Sequence, residues 1–245
     1  VYVDTGTYAL GSPVRVIWSR GGDADSGNTI IQGSTNYASG GSVFNRNNTS
    51  ANAIELPASR VTIRDIVVQN ALRGIYLTDN RSAVVERILA RSNTYGVVLS
   101  STVGVTNRNL RLWNNSRGIL LSGARTTVTE NCTFVGNSTY GYSVEGSVIS
   151  NVLQNSIFYV VDSNSVALAG QSNIIWNSFI DYNIYYFVDP SPSSTIYEGY
   201  TDIKNWQLNE RHDFRSAITN PLFANVNGGD FHLQSTVGRY VDGSG

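Results

Sequence analysis

Residues 73–77 read Arg-Gly-Ile-Tyr-Leu, residues 95–99 read Tyr-Gly-Val-Val-Leu and residues 117–121 read Arg-Gly-Ile-Leu-Leu. The three segments share one apolar alternation at a spacing of 22 residues, and looser matches continue it at 52–56, 140–144 and 164–168. Alternation of this kind marks β-strands, and a fixed period of this length is typical of stacked repeats. The repeat predicts an all-β fold, a single-stranded right-handed parallel β-helix with coils of about 22 residues.

Two other repeat folds fit the pattern less well. A leucine-rich repeat needs a fixed Leu pattern and a helix or extended segment on its convex side, and a propeller blade needs about 40 residues. The Val, Ile and Thr content favours strands throughout, and no stretch has a helical period. Apolar columns at the repeat spacing also indicate inward positions in a later strand of each coil: Ile66, Ile88, Leu110 and Cys132.

Two polar series recur at the same spacing and predict ladders that set the register of the coils. The first is an asparagine ladder, in which stacked amides hydrogen-bond from rung to rung: Asn93, Asn115 and Asn137. The second alternates in sign, so that each charge lies between opposite neighbours: Arg64, Glu86, Arg108 and Glu130.

Composition narrows the class of protein. The chain has 245 residues, 41% hydrophobic and 14% charged, with a net charge of −1, so it lacks the basic surface typical of nucleic-acid binding. No apolar run is long enough to insert into a membrane, and one cysteine excludes an internal disulfide. We expect one β-helix domain over 1–245, with irregular coils at 1–51, regular coils at 52–168, and irregular coils, a long loop and a C-terminal closure at 169–245. It has no methionine, and we expect it to be a piece of a longer, processed protein.

Several segments resemble the pectate-lyase-like right-handed β-helix superfamily. The opening residues 1–8 and Ile30-Ile31-Gln32-Gly33 are similar to its first strands. Trp206-Gln207, Asn220-Pro221-Leu222-Phe223 and Gly229-Asp230-Phe231-His232-Leu233 are similar to the C-terminal closure of secreted bacterial members. The resemblance covers roughly residues 1–235. It implies an extracellular or cell-surface protein that associates with polysaccharide, and it implies that the tail is a structural cap.

Two regions carry candidate functional residues. On the outside of the third strand, indole and guanidinium groups that suit sugar rings and their acidic substituents lie in neighbouring columns: Arg91, Arg111 and Trp113. The aromatic-rich C-terminal region, where residues 189–205 break the repeat, adds Tyr197, Tyr200 and Trp206 as further glycan-binding candidates. Weak catalytic candidates in the same region are Asp202, Arg211, His212 and Asp213.

Three functions stay open at this point. The first is a glycan-binding module without catalytic machinery, because the outward face of the first strand carries no carboxylate cluster and the Asp-Asp pair and His-Gly motif of the superfamily's hydrolases are missing. The second is a structural or adhesive surface protein, or a filament subunit that associates end to end or laterally. The third is a polysaccharide lyase or glycoside hydrolase acting on an acidic polysaccharide. We expect no metal and no cofactor, with Ca²⁺ only in the case of a lyase.

Overall fold

The computed structural model of the chain describes residues 1–17, 28–36, 39–170, 177–189, 195–197 and 200–234. Residues 190–194 and 198–199 of the predicted loop, and the last residues from 235 onward, lie outside the described residues. Parallel strands stack from coil to coil on three faces, which confirms the predicted right-handed parallel β-helix. The described residues include no helix with the length and apolar composition that crossing a membrane requires.

The first face is an eight-stranded parallel sheet. Its strands, in stacking order, are β2 (Val14–Arg15), β5 (Ile54–Leu56), β7 (Arg73–Thr78), β9 (Tyr95–Ser100), β12 (Arg117–Ser122), β15 (Tyr140–Glu145), β18 (Val166–Gly170) and β21 (Thr195–Tyr197).

The second and third faces form one larger sheet, because two long strands run round the bend between them: β6 (Val61–Ala71) and β8 (Val84–Arg91). The second face adds β3 (Thr29–Gln32), β10 (Thr106–Arg108), β13 (Val128–Glu130), β16 (Asn151–Gln154) and β19 (Ser178–Asp181). The third face adds β1 (Gly6–Ala9), β4 (Ser42–Asn48), β11 (Arg111–Trp113), β14 (Thr133–Val135), β17 (Ile157–Val160), β20 (Ile184–Phe187) and β22 (Ala217–Ile218). Helix α1 (Ile203–Glu210) and an antiparallel hairpin of β23 (Phe223–Asn225) and β24 (Asp230–Leu233) follow the last coils.

The bend between the second and third faces is made by one left-handed residue in each coil. We call these positions the bend column. Its residues have φ between 49° and 61°: Asp65, Arg87, Asn109, Asn131, Asn155 and Tyr182. Asn and Asp adopt this conformation more readily than most residues, because their short polar side chains bond locally. A single left-handed residue turns the chain sharply between the two faces, and from Arg87 onward the side chain at the turn is exposed, whereas that of Asp65 is buried.

The 22-residue step is regular in the middle of the chain and lengthens toward the end. Thr106 pairs with Val84 and with Val128, whereas Val128 pairs with Val152 and that residue pairs with Phe179. On the first face, Tyr142 pairs with Leu168. The sequence prediction placed Val166 in this position, and it was wrong by two residues because the longer coil shifts the register.

The recurrence of glycine in the repeat has a steric cause. A Cβ atom built on Gly118 lies 2.4 Å from the carbonyl oxygen of Gly141, and one built on Gly96 lies 2.6 Å from the carbonyl oxygen of Gly118. The backbone of one coil therefore passes too close to the next for a side chain at this position.

The interior changes character along the axis. The regular coils are filled by fully buried aliphatic side chains such as Ile75, Leu77 and Leu99. Further on, Phe134 stacks on Phe158 at 4.4 Å, and Phe158 continues the stack into the next coil. Larger rings fill the wider interior that the longer coils enclose.

The asparagine ladder forms as predicted and is buried. The side-chain amide of Asn93 donates to Oδ1 of Asn115 at 3.1 Å, and that of Asn115 donates to Oδ1 of Asn137 at the same distance. The same oxygens accept the backbone N–H groups of Asn93 and Asn115. Each amide also donates to a backbone carbonyl, such as that of Ala90 at 3.0 Å. The ladder thus satisfies buried backbone groups at the corner between the third and first faces.

The charge ladder also pairs in the predicted register. Its centre is Glu86, which is 3% exposed and is bridged by Arg64 at 3.4 Å, Arg87 at 3.1 Å and Arg108 at 2.5 Å. Burial raises the pKa of Glu86, but the surrounding guanidinium groups outweigh it and the net pKa lies below the ordinary value. Glu130 instead accepts a hydrogen bond from Gln154 at 3.1 Å.

Candidate functional site

A cleft of about 700 Å³ opens at the C-terminal end of the solenoid, beside β19. In the described part of the chain β19 ends its arm of the sheet, so one wall is a strand edge, and the other wall is residues 209–215. We call it the C-terminal cleft; its lining residues are Ser178, Phe179, Ile180, Asp181, Asn209, Glu210, Arg211, His212, Phe214 and Arg215.

Helix α1 positions residues 209–215, which form the second wall of the C-terminal cleft. Asp202 caps its N-terminus by accepting a hydrogen bond from the N–H of Lys204 at 2.9 Å. Arg211 ends it in the left-handed conformation, with φ of 58°, and donates its N–H to the carbonyl of Gln207. The chain reverses at this residue and returns along β19, which brings the next four residues to the edge of the sheet.

Asp213 fastens this segment to the end of the core. Its carboxylate is fully buried and accepts hydrogen bonds from the indole of Trp206 at 2.7 Å, the hydroxyl of Tyr185 at 2.8 Å and the amide of Asn183 at 3.0 Å. Its N–H donates to the carbonyl of Ile180 in β19 at 2.7 Å. Burial, reinforced by this carboxylate, raises the pKa of Tyr185 well above its ordinary value. Asp213 is therefore the structural link between α1, the aromatic stack and the strand edge.

Asp181 is the carboxylate at the back of the cleft, and its acceptor capacity is filled. One oxygen accepts the N–H groups of Tyr182 at 2.8 Å and Arg215 at 2.7 Å, and the other accepts Nε of Arg215 at 2.9 Å. The second guanidinium nitrogen approaches the same oxygen at 2.8 Å, and the guanidinium lies 4.2 Å from the ring centre of Tyr182. An ionised carboxylate has about four acceptor sites, so the ion pair holds Asp181 in a positioning role.

Glu210 is the second carboxylate of the cleft. Its Oε1 accepts a hydrogen bond from the hydroxyl of Tyr200 at 2.7 Å. This hydrogen bond to Glu210 is the main cause of a raised pKa for the Tyr200 hydroxyl. Both carboxylates that line the cleft are thus engaged by neighbouring protein groups.

Aromatic rings and guanidinium groups form the open surface of the cleft. Phe179 is 44% exposed and Phe214 is 62% exposed, which is unusual for phenylalanine. Arg211, which precedes Phe214 in the chain, is also exposed. His212 is buried, and its ring centre lies 5.5 Å from that of Trp206. This combination of apolar rings and cations suits a ligand with flat apolar faces and acidic groups.

The structure brings together only part of the predicted catalytic set. Arg211 and His212 line the cleft, but Asp202 is the helix cap and Asp213 is the buried link described above. The two aspartates were assigned to chemistry because of their nearness in sequence, and that assignment was wrong because both are committed to local structure.

The predicted glycan-binding aromatics of this region are mostly interior. Trp206 is fully buried and Tyr197 is 6% exposed, so neither ring offers a face to a sugar. Tyr200 is half-buried and packs edge-on against the same cluster, with its ring centre 5.7 Å from that of Trp206. Trp206 and Tyr197 close the end of the core, which corrects their assignment as binding residues, and glycan binding by Tyr200 stays a prediction.

The predicted Arg and Trp columns on the third face form in the expected register. Arg91 donates to the side chain of Gln69 at 2.8 Å. The indole of Trp113, however, packs edge-on against Phe231 of the C-terminal hairpin at 5.7 Å, and Gly229 lies against it. The hairpin therefore covers much of the indole, and glycan binding by this residue stays an untested prediction.

A second, smaller groove of about 320 Å³ lies between the hairpin and the bend column. We call it the His232 groove; it is lined by Arg87, Asn109, Arg111 and His232. Nδ1 of His232 lies 2.5 Å from the carboxylate of Asp230. Arg111, predicted as a glycan-binding residue, thus lies in a groove, although a different one from the C-terminal cleft.

Sequence reasoning missed Phe179, Phe214 and Arg215 of the cleft. The charge ladder carried a usable signal, because its column continues through Gln154 to Asp181 and so predicts a cation beside that last residue. No periodic signal marks the two phenylalanines, since they lie where the repeat has lengthened.

The sequence matches a known protein family. The family described as Periplasmic copper-binding protein (NosD) matches residues 16–201. The chain belongs to the NosD family. No curated protein gives a significant match to this NosD-family chain.

Three solved structures are similar to parts of this chain. An alginate lyase from Paenibacillus sp. str. FPU-7 has a TM-score of 0.57 and 13% identity, and the match covers 80% of this chain and 82% of that one. The catalytic domain of a GH87 α-1,3-glucanase has a TM-score of 0.47 and 14% identity, over 76% of this chain and 34% of that one. The Agl-KA catalytic domain has a TM-score of 0.37 and 12% identity, over 80% and 49%. At 13% identity the likeness to the alginate lyase concerns the fold alone.

The family description implies copper, but the donors of this NosD-family chain do not fit a copper centre. Copper sites use Cys, Met and His, and the sequence has no methionine, one cysteine and two histidines. Cys132 is buried in the solenoid and burial raises the pKa of its thiol to about 12, while His212 and His232 lie on different elements. Within the described ranges no three His, Cys, Asp or Glu side chains are grouped to hold a metal ion. We therefore assign copper no role in the site.

Proposed function

We propose that this chain is an extracytoplasmic module that binds an acidic polysaccharide in the C-terminal cleft without cleaving it. One observation carries the proposal: the cleft presents exposed Phe179, Phe214 and Arg211, while its carboxylates are engaged by other protein groups. Phenyl rings stack on the apolar faces of sugar rings, and guanidinium groups hold carboxylates or sulfates. Arg215 adds a second cation that is already fixed by its ion pair.

The state of the carboxylates argues against hydrolysis in the C-terminal cleft. Glycoside hydrolases use one carboxylic acid and one carboxylate that act directly on the scissile bond. Asp181 would have to leave Arg215 before accepting a proton from water or sugar, and Glu210 would have to leave Tyr200. An alginate lyase shares the fold, so uronate polymers are the first probes to use, with product formation as the measure of catalysis.

The test is a binding titration of the wild-type chain with alginate, pectate and a neutral α-1,3-glucan. We expect binding to the two uronate polymers, and a loss of about tenfold in affinity for Phe214→Ala and for Arg211→Gln. Tyr2→Ala and Arg15→Gln are matched controls, because both residues are exposed at the opposite end of the solenoid.

Three outcomes would contradict the proposal. Equal binding of the neutral glucan would remove the role of the cations. Unchanged affinity of both cleft variants would move the site elsewhere. Unsaturated or shortened products, with or without added Ca²⁺, would make the protein a lyase or hydrolase.

A second candidate function, end-to-end association, is favoured by the first coil. Among the described residues β1 and β2 pair with a strand on one side only, and residues 1–3, which bridge to the outer side of β3, leave Tyr2 exposed. Open strand edges with exposed apolar side chains pair readily with another chain. Light scattering at increasing concentration tests it: growth in mass supports association, and a constant monomer mass argues against it.

A further inference from the structure

The bend column connects the two grooves of the molecule along one edge of the solenoid. Arg87 and Asn109 line the His232 groove, and Tyr182, at the other end of the column, packs against Arg215 of the C-terminal cleft. Asn131 and Asn155 occupy the rungs between them and are exposed. Stacked strands are about 4.8 Å apart, so the four steps from Arg87 to Tyr182 span about 19 Å parallel to the axis.

The His232 groove has fixed walls. One wall is the bend column and the other is the C-terminal hairpin, which is anchored by Phe231 against Trp113 at 5.7 Å and by Phe223 against Tyr159 at 5.5 Å. His232 projects from the hairpin with 81% of its side chain exposed. The imidazole is therefore presented to solvent from an anchored strand, opposite Arg111.

Two guanidinium groups, those of Arg87 and Arg111, line the groove, and the carboxylate of Asp230 lies 2.5 Å from Nδ1 of His232 on the hairpin side. Arg87 holds buried Asp65 in a two-pronged pair at 2.8 Å and 3.0 Å, and it also bridges Glu86. Three guanidinium groups surround Glu86, so this network has more cations than anions. Arg87 remains 41% exposed on its outer side, and Arg111 adds a further cation. An anionic group entering here meets guanidinium groups whose positions are already set, which lowers the ordering cost of binding.

The rungs between the grooves suit a sugar chain. Carboxamide side chains offer two donors and one acceptor oxygen each, and they match the hydroxyl groups of a polysaccharide. No carboxylate occupies the column between Arg87 and Tyr182, since the intervening residues are three asparagines. An acidic chain therefore meets no carboxylate of the bend column between these two residues, and Asp65, beyond Arg87, is buried.

We infer that the His232 groove is a second subsite for the same acidic polysaccharide, and that one linear chain lies along the bend column and contacts both grooves. The inference rests on the proposed function of the C-terminal cleft. It names the ligand class more closely: a polymer with acidic groups that is long enough to span about 19 Å. A short oligomer occupies the cleft alone, and a long oligomer gains the contacts of the column and the groove.

The experiment compares short and long uronate oligomers by isothermal titration, using a trimer and an oligomer of about eight sugars. For the wild-type chain we expect the long oligomer to bind at least about tenfold more tightly than the trimer, because the second subsite acts at a high effective concentration. Arg111→Gln should lower the affinity for the long oligomer about tenfold and leave the affinity for the trimer unchanged.

A second variant keeps the test independent of the folding of the groove. Asn131→Asp retains a residue that tolerates the left-handed conformation and adds a negative charge in the middle of the column, so it should also weaken only the long oligomer. Arg15→Gln is the control for loss of a surface arginine, and circular dichroism checks that each variant is folded.

The outcomes separate the two proposals. Equal affinity of trimer and long oligomer, or unchanged binding of the long oligomer in both variants, overturns the second subsite and leaves the cleft in place. Absence of binding for either oligomer overturns the proposed function and this inference together. Selective weakening of the long oligomer supports the continuous binding surface.

Discussion

The regular middle of the solenoid and its C-terminal end are built from the same coil but differ in what they leave exposed. In the middle, coils keep a 22-residue step, aliphatic columns fill the interior and Glu86 is surrounded by arginines. At the end, coils are longer, rings fill the core and Phe179 and Phe214 remain in solvent. A constant coil length repeats one flat surface, whereas a change in coil length creates a concave one. The middle is thus a scaffold, and the end carries the candidate site.

The largest expected effect tests whether the buried hydrogen bonds of Asp213 hold the C-terminal end together. Asp213→Ala leaves the buried donors of Trp206, Tyr185 and Asn183 without their acceptor, and we expect a loss of about 3–5 kcal/mol in the free energy of unfolding. Urea unfolding followed by tryptophan fluorescence measures it. Asp202→Ala is the control and should cost about 1 kcal/mol, as the loss of a helix cap. Equal losses for the two variants would show that the hydrogen bonds of Asp213 do not hold this end together.

The next effect tests the scaffold. Asn115→Ala removes the acceptor of both the backbone N–H and the side-chain amide of Asn93, and it should cost about 2–4 kcal/mol. Asn131→Gly, at an exposed left-handed position, should change stability by less than about 0.5 kcal/mol. Chemical denaturation compares the two. A small loss for Asn115→Ala would mean that packing alone, without the ladder, holds the coils in register.

A smaller effect concerns the charge network and its dependence on pH. The pKa of Glu86 is lowered in the folded state, so its ionic contribution is complete above the ordinary value of 4.5 and is lost as the pH falls through the folded-state pKa. Glu86→Gln should therefore destabilise the protein by about 1–2 kcal/mol at neutral pH and by less at a pH below 4.5.

Denaturation at the two pH values checks this, with Glu145→Gln as the control. The side chain of Glu145 is 54% exposed in its pair with Arg117, so its replacement should change stability by less than about 1 kcal/mol at either pH. A pH-independent cost for Glu86→Gln would indicate that shape, and not charge, accounts for the contribution.

The smallest expected effect on stability separates the two regions most clearly. Phe214→Ala should change the unfolding free energy by less than about 0.5 kcal/mol, because the ring is 62% exposed, although the same variant is expected to lose binding. A thermal melt beside the titration gives both quantities. A large drop in melting temperature would show that the Phe214 ring contributes to the stability of the C-terminal end.

Much of the fold was predictable because a solenoid converts sequence spacing directly into spatial neighbours. A residue 22 positions away lies on the adjacent rung, so the partners of Asn115 and Glu86 follow from counting alone. The prediction failed first at Leu168, where four added residues relative to the 22-residue step shift the pairing with Tyr142. The C-terminal cleft lies beyond that point, and among its residues Asp181, in the column of Gln154, carried a periodic signal.

The amino-acid sequence by itself determined the coil, the inward columns and the two ladders, because each depends on neighbours at a fixed chain distance. Only the tertiary structure decided that Trp206 and Asp213 are buried, that Arg215 pairs with Asp181, and that the hairpin lies over Trp113. These contacts join segments separated by variable lengths of chain, and packing at the end of the solenoid selects among them. The opening repeat therefore describes the scaffold and one wall of the His232 groove, whereas the C-terminal cleft lies where that repeat stops.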